Sequence, residues 1–166
     1  MESKDYPERK SIRLEHYDYS QNGYYFVTIC AEKHCPIFWN NVGADIIRPQ
    51  NEKDICLSEV GTIVKNAIEN IPKYYEGVFV DRYCVMPNHV HAIIVIRKDK
   101  NGRIISAPTL STIIGQMKRW ASKQCRKPIW QKSFYDEIIR NQAAYDEISK
   151  YIYENPMKWE DDELYC

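Results

Sequence analysis

Hydrophobic positions along the chain change period several times, and each change marks an element. Tyr24-Tyr25-Phe26-Val27-Thr28-Ile29-Cys30 is aromatic and β-branched behind an Asn22-Gly23 turn signal, and reads as a buried strand. Residues 1–22 before it are polar. Residues 35–56, with Pro36, Gly43, Pro49 and clustered Asn and Asp, read as loop or a short hairpin. From Ser58 the period lengthens: Val60, Ile63, Val64, Ala67, Ile68 and Ile71 share one helical face, which Pro72 closes.

Residues 77–86 return to strand character, Pro87-Asn88 reads as a turn, and residues 89–97 read as the returning strand of a hairpin. After a loop over 98–108, Leu110, Ile113, Ile114, Met117, Trp120 and Ala121 follow helical spacing. Residues 129–139 read as a fourth strand. Asn141 reads as the N-cap of a last helix over 142–155, which Pro156 stops. The order β-α-β-β-α-β-α predicts an α+β fold: a ferredoxin-like antiparallel sheet with helices packed on it, plus a C-terminal helix. At 166 residues the chain reads as one domain, 1–166, with a polar segment at 1–22 and an acidic tail at 160–166.

Composition adds little to this picture. Hydrophobic residues make up 44% and charged residues 28%, which is ordinary for a globular chain. No stretch approaches membrane-spanning length and the start carries no apolar leader, so the expectation is a cytoplasmic protein without a membrane partner. Six cysteines in that setting read as free, mostly buried thiols. Cys30, His34 and Cys35 lie close in sequence but lack a fourth zinc ligand.

Charge distribution changes the picture more. The formal net charge is zero, yet residues 103–140 hold eight Lys or Arg against two acids, and residues 141–166 hold seven acids against two lysines. A basic segment beside an acidic one fits either a polyanion-binding face or a solvated helix surface. Thirteen tyrosines and four tryptophans supply stacking or core material, with Trp120 and Trp130 open to either role.

Met86-Pro87-Asn88-His89-Val90-His91 carries the candidate chemistry. Strand side chains alternate faces, so His89 and His91 lie side by side while Val90 turns the other way. Two neutral imidazoles so placed are half of a divalent-metal site. On the last helix Tyr151 and Asn155 stand four apart and project from one side, offering a nucleophile and a third ligand. Ala144, Ile148, Tyr151 and Asn155 serve equally well as a packing stripe. Tyr145 and Tyr153 are rival phenols, but Ser149 and Met157 stand where Tyr151 has its amide.

These residues resemble those of the REP-associated tyrosine transposases and, more broadly, of the single-tyrosine HUH transposases acting on single-stranded DNA. The matching segments are Arg13-Leu14 with Tyr17-Asp18-Tyr19, Tyr25-Phe26-Val27-Thr28, Val85 through His91, Trp130-Gln131, Ile139-Arg140-Asn141, and Tyr151-Ile152-Tyr153-Glu154-Asn155-Pro156. They span about residues 9–159 in the family's order.

The resemblance implies that His89 and His91 are metal ligands, that Asn155 completes their site, and that Tyr151 is the catalytic nucleophile. The implied reaction is metal-dependent nicking and rejoining of hairpin-bearing single-stranded DNA through a 5′-phosphotyrosine bond. The donor set suits Mn²⁺ and tolerates Mg²⁺. Lys118, Arg119, Lys123, Arg126 and Lys132 are candidate phosphate contacts, and Arg13, Gln131, Arg140 and Asn141 are family-matched polar positions beside the DNA. The expected protein is a monomer or homodimer, nucleoid-associated when acting. Two other readings stay open here: a catalytically silent hairpin-binding module, and a metal-dependent hydrolase using the histidine pair alone.

Overall fold

The computed structural model describes residues 17–40, 55–97 and 108–165. Its elements are β1 (Gly23–Cys30), α1 (Glu59–Glu69), α2 (Ile71–Tyr74), β2 (Val78–Val85), β3 (His89–Ile96), α3 (Leu110–Gln124), β4 (Tyr135–Ile139) and α4 (Gln142–Glu154). A 3-10 turn, Asn155–Asp161, continues α4. The strands form one antiparallel sheet in the order β2-β3-β1-β4, so the β1-α1-β2 crossover passes over β3 and the split β-α-β arrangement of a ferredoxin-like sheet results.

Alternation decides what each sheet face touches. In β1, Tyr25, Val27 and Ile29 are at most 1% exposed and join Val90, Ala92 and Ile94 of β3 in the core with the apolar faces of α1 and α3. Phe26, Thr28 and Cys30 point the other way. Every residue of β3 is buried, because α4 and the turn after it cover its second face. The two histidines therefore stand on an interior wall.

Helix starts follow local hydrogen-bond chemistry. Ser58 Oγ accepts from Gly61 N at 3.0 Å, Thr109 Oγ1 from Thr112 N at 3.2 Å, and Asn141 Oδ1 from Ala144 N at 2.9 Å. The structure moves two expected boundaries. Pro72 does not close α1, which ends at Glu69; it sits in the first turn of α2, where its missing N–H costs nothing.

The expected strand over 129–139 also divides. Its first part makes only an isolated bridge, Ala31 with Trp130, and β4 begins at Tyr135. Between them Lys118 Nζ donates to the carbonyls of Gln131, Lys132 and Ser133 at 2.5, 3.4 and 3.2 Å, so these groups turn to a side chain instead of a neighbouring strand. The cysteines are not mostly buried as expected: among the described residues only Cys84 is, while Cys35 and Cys56 are exposed. No helix among the described residues is long and apolar enough to cross a membrane.

Gly61 shows how closely the first helix is seated. A Cβ there would stand 1.9 Å from the carbonyl oxygen of Phe38, which accepts the Ser58 N–H at 2.9 Å. Alanine improves helix propensity by about 1 kcal/mol. Overpacking against fixed backbone costs about 1–3 kcal/mol or more and exceeds that gain. Gly61→Ala is therefore expected to destabilise the fold, measured as a lower urea midpoint; an unchanged or raised midpoint would show that α1 can slide.

Candidate active site

His89 is fixed by its predecessor. Asn88 Nδ2 donates to the carbonyls of Leu164 and His34 at 2.7 and 3.2 Å, which settles the orientation of its amide. Its Oδ1 then faces His89 Nδ1 at 2.8 Å, so the His89 proton sits on Nδ1 and Nε2 presents a lone pair. His91 Nδ1 lies 2.9 Å from Thr28 Oγ1, its neighbour across the sheet. The two Nε2 atoms are 2.9 Å apart. Burial, foremost, holds both imidazoles at a pKa of about 3, with His34 adding to the shift at His89 and His89 to that at His91. Both rings are neutral at physiological pH and available as ligands.

A third donor comes from the turn after α4. Asp162 Oδ2 lies 3.8 Å from His89 Nε2, and donor atoms of His89, His91 and Asp162 all fall within 4.8 Å of one another. With His89 neutral this contact is not an ion pair: a carboxylate faces two neutral rings. The donor set fits a divalent cation. Two nitrogens about 2.1 Å from one ion at a right angle lie about 3.0 Å apart, close to the spacing found. Thr28 completes the fit, because its hydroxyl can accept from Nδ1 and leave the His91 Nε2 lone pair free.

Tyr151 reaches this cluster from α4. Its phenol oxygen lies 3.2 Å from His91 Nε2, and its ring meets His91 and Phe26 edge-on at centroid distances of 5.0 and 6.3 Å. Partial burial, with Asp162, Cys84 and Glu163 nearby, pushes its pKa up to about 12, against the opposing hydrogen bond of Asn155. Tyr145 is committed elsewhere, donating to Asp81 Oδ2 at 2.6 Å, and Tyr153 is 56% exposed.

Asn155 is buried beside the cluster, and its Nδ2 donates to Asp162 Oδ2 at 2.8 Å. The helix spacing thus brings Tyr151 to His91 and Asn155 to Asp162. Asp162 was missed by the sequence reading, which left it in the acidic tail. Its only signal was Pro156, which ends α4 and starts the turn that carries the carboxylate back.

The expected DNA contacts scatter. Gln131 lines a cleft of about 650 Å³ that contains His91, Tyr151 and Asp162. Lys118 is half-buried, its ammonium committed to the carbonyls beside β4, and burial lowers its pKa. Arg119, Lys123, Arg126 and Lys132 are exposed on and beyond α3. Arg140 and Asn141 border a separate hollow of about 400 Å³, with the Asn141 side chain used as a helix cap. Trp130 belongs to the core, 5.2 Å from the Phe38 ring, and Trp120 is half-buried against it. Arg13 lies outside the described residues.

The sequence profile of the family described as "Transposase IS200 like" matches residues 40–155, and the chain belongs to this family. An uncharacterized protein of Haemophilus influenzae is 34% identical over 176 residues, covering 95% of this chain and 93% of its own. A second protein of that organism, named "Putative REP-associated tyrosine transposase", is 24% identical over 152 residues, covering 85% of this chain and 74% of its own. Among solved structures, a REP-associated tyrosine transposase bound to a REP hairpin matches with a TM-score of 0.61 at 20% identity. It covers 89% of this chain and 73% of that one. That likeness concerns the fold.

Proposed function

We propose that the protein nicks and rejoins hairpin-bearing single-stranded DNA by transesterification, with Tyr151 as nucleophile and His89, His91 and Asp162 or Asn155 holding a divalent cation, Mn²⁺ or Mg²⁺. One observation carries the reading: the Tyr151 phenol oxygen stands 3.2 Å from His91 Nε2, at the edge of a buried cluster of two imidazoles and a carboxylate. The membership in a transposase family agrees with it.

In the forward step the Tyr151 oxygen attacks phosphorus; the new P–O bond to tyrosine forms as the P–O3′ bond breaks. The phenol proton leaves through the open cleft, and the departing 3′-oxygen takes up a proton. The covalent product keeps a phosphodiester, so a 3′-hydroxyl from another strand can attack it, restore the phenol and join the ends. His89, His91 and Asp162 or Asn155 would hold a cation that would supply charge stabilisation to the reacting phosphate. Asn88 and Thr28 orient the rings, and Asn155 orients Asp162.

The test is direct. Purified protein with Mn²⁺ and single strands bearing a hairpin should give a DNA adduct that survives denaturing electrophoresis. No adduct across a panel of such strands would overturn the reading. The pH dependence adds a second check. Below a pKa of about 12 the phenolate fraction rises tenfold per pH unit. The histidines, held at about 3, are already neutral above pH 5. The initial adduct rate should therefore rise with pH from roughly pH 6 to 9. A break near the ordinary histidine pKa of about 6.5 is not expected, and finding one contradicts the buried neutral pair.

A further inference from the structure

The sheet face that carries His91 continues over β1, where Tyr145 and Tyr151 pack on Tyr24 and Phe26, to β4, where Tyr135 and Glu137 are exposed among the described residues. Register places Cys84, His91, Thr28 and Tyr135 in one cross-strand row, and Ile93, Phe26 and Glu137 in the next. α4 lies over the β2–β3 end of this face, where its Tyr145 bonds Asp81 and its Tyr151 meets His91. Among the described residues, the β4 end forms the far part of the 650 Å³ cleft. Phe134 is half-buried there against the core and Tyr135 is 48% exposed.

Charge says what this end accepts. The cleft is lined by the carboxylates of Glu137, Asp162 and Glu163 and, among the described residues, by no lysine or arginine. A backbone phosphate away from the histidine cluster meets like charge. An uncharged aromatic ring meets the exposed ring of Tyr135, with Phe134 lining the cleft beside it, and sheet faces with exposed aromatic rings stack bases in this manner.

We infer that this end is a nucleobase pocket, taking the base next to the scissile phosphate, stacked on Phe134 and Tyr135 with its amino edge toward the Glu137 carboxylate. The inference rests on the DNA-cleaving reading above and names what its site selects. An ionised carboxylate only accepts hydrogen bonds, so it favours a base presenting an exocyclic amino group: cytosine or adenine over thymine.

The test needs no cleavage. Hairpin-bearing strands carry 2-aminopurine at successive positions flanking the stem, and fluorescence is read on binding to Tyr151→Phe. Quenching of several-fold is expected at one position and should be lost when Phe134→Ala or Tyr135→Ala is added. Tyr135, being exposed, carries the test if Phe134→Ala does not fold. An abasic site at the same position should weaken binding about tenfold. Cytosine there should bind about fivefold better than thymine, a preference erased by Glu137→Gln. Absence of quenching at every position, or quenching that survives both aromatic substitutions, overturns the pocket. Because this readout is binding, a wild-type protein that forms no adduct but quenches sinks the cleavage reading alone. Adduct formation without quenching sinks only the pocket.

Discussion

Tyr151→Phe is expected to reduce covalent adduct formation by at least about 10³-fold while leaving the fold intact, since removing a nucleophile outright costs a factor of this order or more. The substitution deletes one oxygen from a side chain that is 43% exposed. Its ring contacts with Phe26 and His91 do not require the hydroxyl. The lost contacts are the 3.2 Å hydrogen bond to His91 and the one with Asn155, each worth about 1 kcal/mol or less at a half-exposed site. The thermal midpoint and hairpin affinity should therefore hold.

Two controls sharpen this first result. Tyr153→Phe should leave adduct formation unchanged, since Tyr153 points into solvent on the same helix. Tyr145→Phe should act, if at all, through the seating of α4 on Asp81. Cleavage that persists in Tyr151→Phe without an adduct would make water the nucleophile and the protein a hydrolase. An adduct that persists would assign the chemistry to another side chain.

Much of the site was legible because short-range periodicity fixes it. Strand alternation alone puts His89 and His91 on one face, and one helical turn alone puts Asn155 beneath Tyr151. Asn141 was readable as a cap because an amide oxygen followed three residues later by an N–H is a local geometry. What failed depends on contacts distant in sequence. Nothing near Asp162 says that its carboxylate returns to a strand more than seventy residues earlier; that follows from the turn after α4 packing Trp159 against His89.

The start of β4 failed for a related reason. Residues 129–134 have strand composition, but a lysine from α3 takes the carbonyls of Gln131, Lys132 and Ser133, and composition does not register that competitor. The same contact alters the charge argument. Lys118 counted toward the basic segment, yet its ammonium holds the wall of the cleft. Among the described residues, the exposed cations of that segment left for a DNA backbone are Arg119, Lys123, Arg126, Lys127, Lys132 and Arg140.

His89→Ala is the second substitution with a large expected effect, and it separates a ligand from a core histidine. In either role the ring is lost from a fully buried position, leaving a cavity and removing the hydrogen bond to Asn88 Oδ1, at a cost of about 2–4 kcal/mol. Stability alone therefore decides nothing. The deciding measurement is the response to added Mn²⁺. A cation that binds only the folded protein raises stability by about 2.7 kcal/mol at a hundred times its dissociation constant. Wild-type protein should show that rise in thermal midpoint, and chelation should remove it together with adduct formation. His89→Ala should show no rise at any accessible concentration. Asp162→Asn keeps the size of the side chain and an oxygen for coordination but removes its charge, so it should need about 10- to 100-fold more Mn²⁺ for the same shift. If His89→Ala still responds to Mn²⁺ as wild type does, the histidine pair is core packing. The cation would then have to be held elsewhere, and the proposed role of the buried cluster would fall with it.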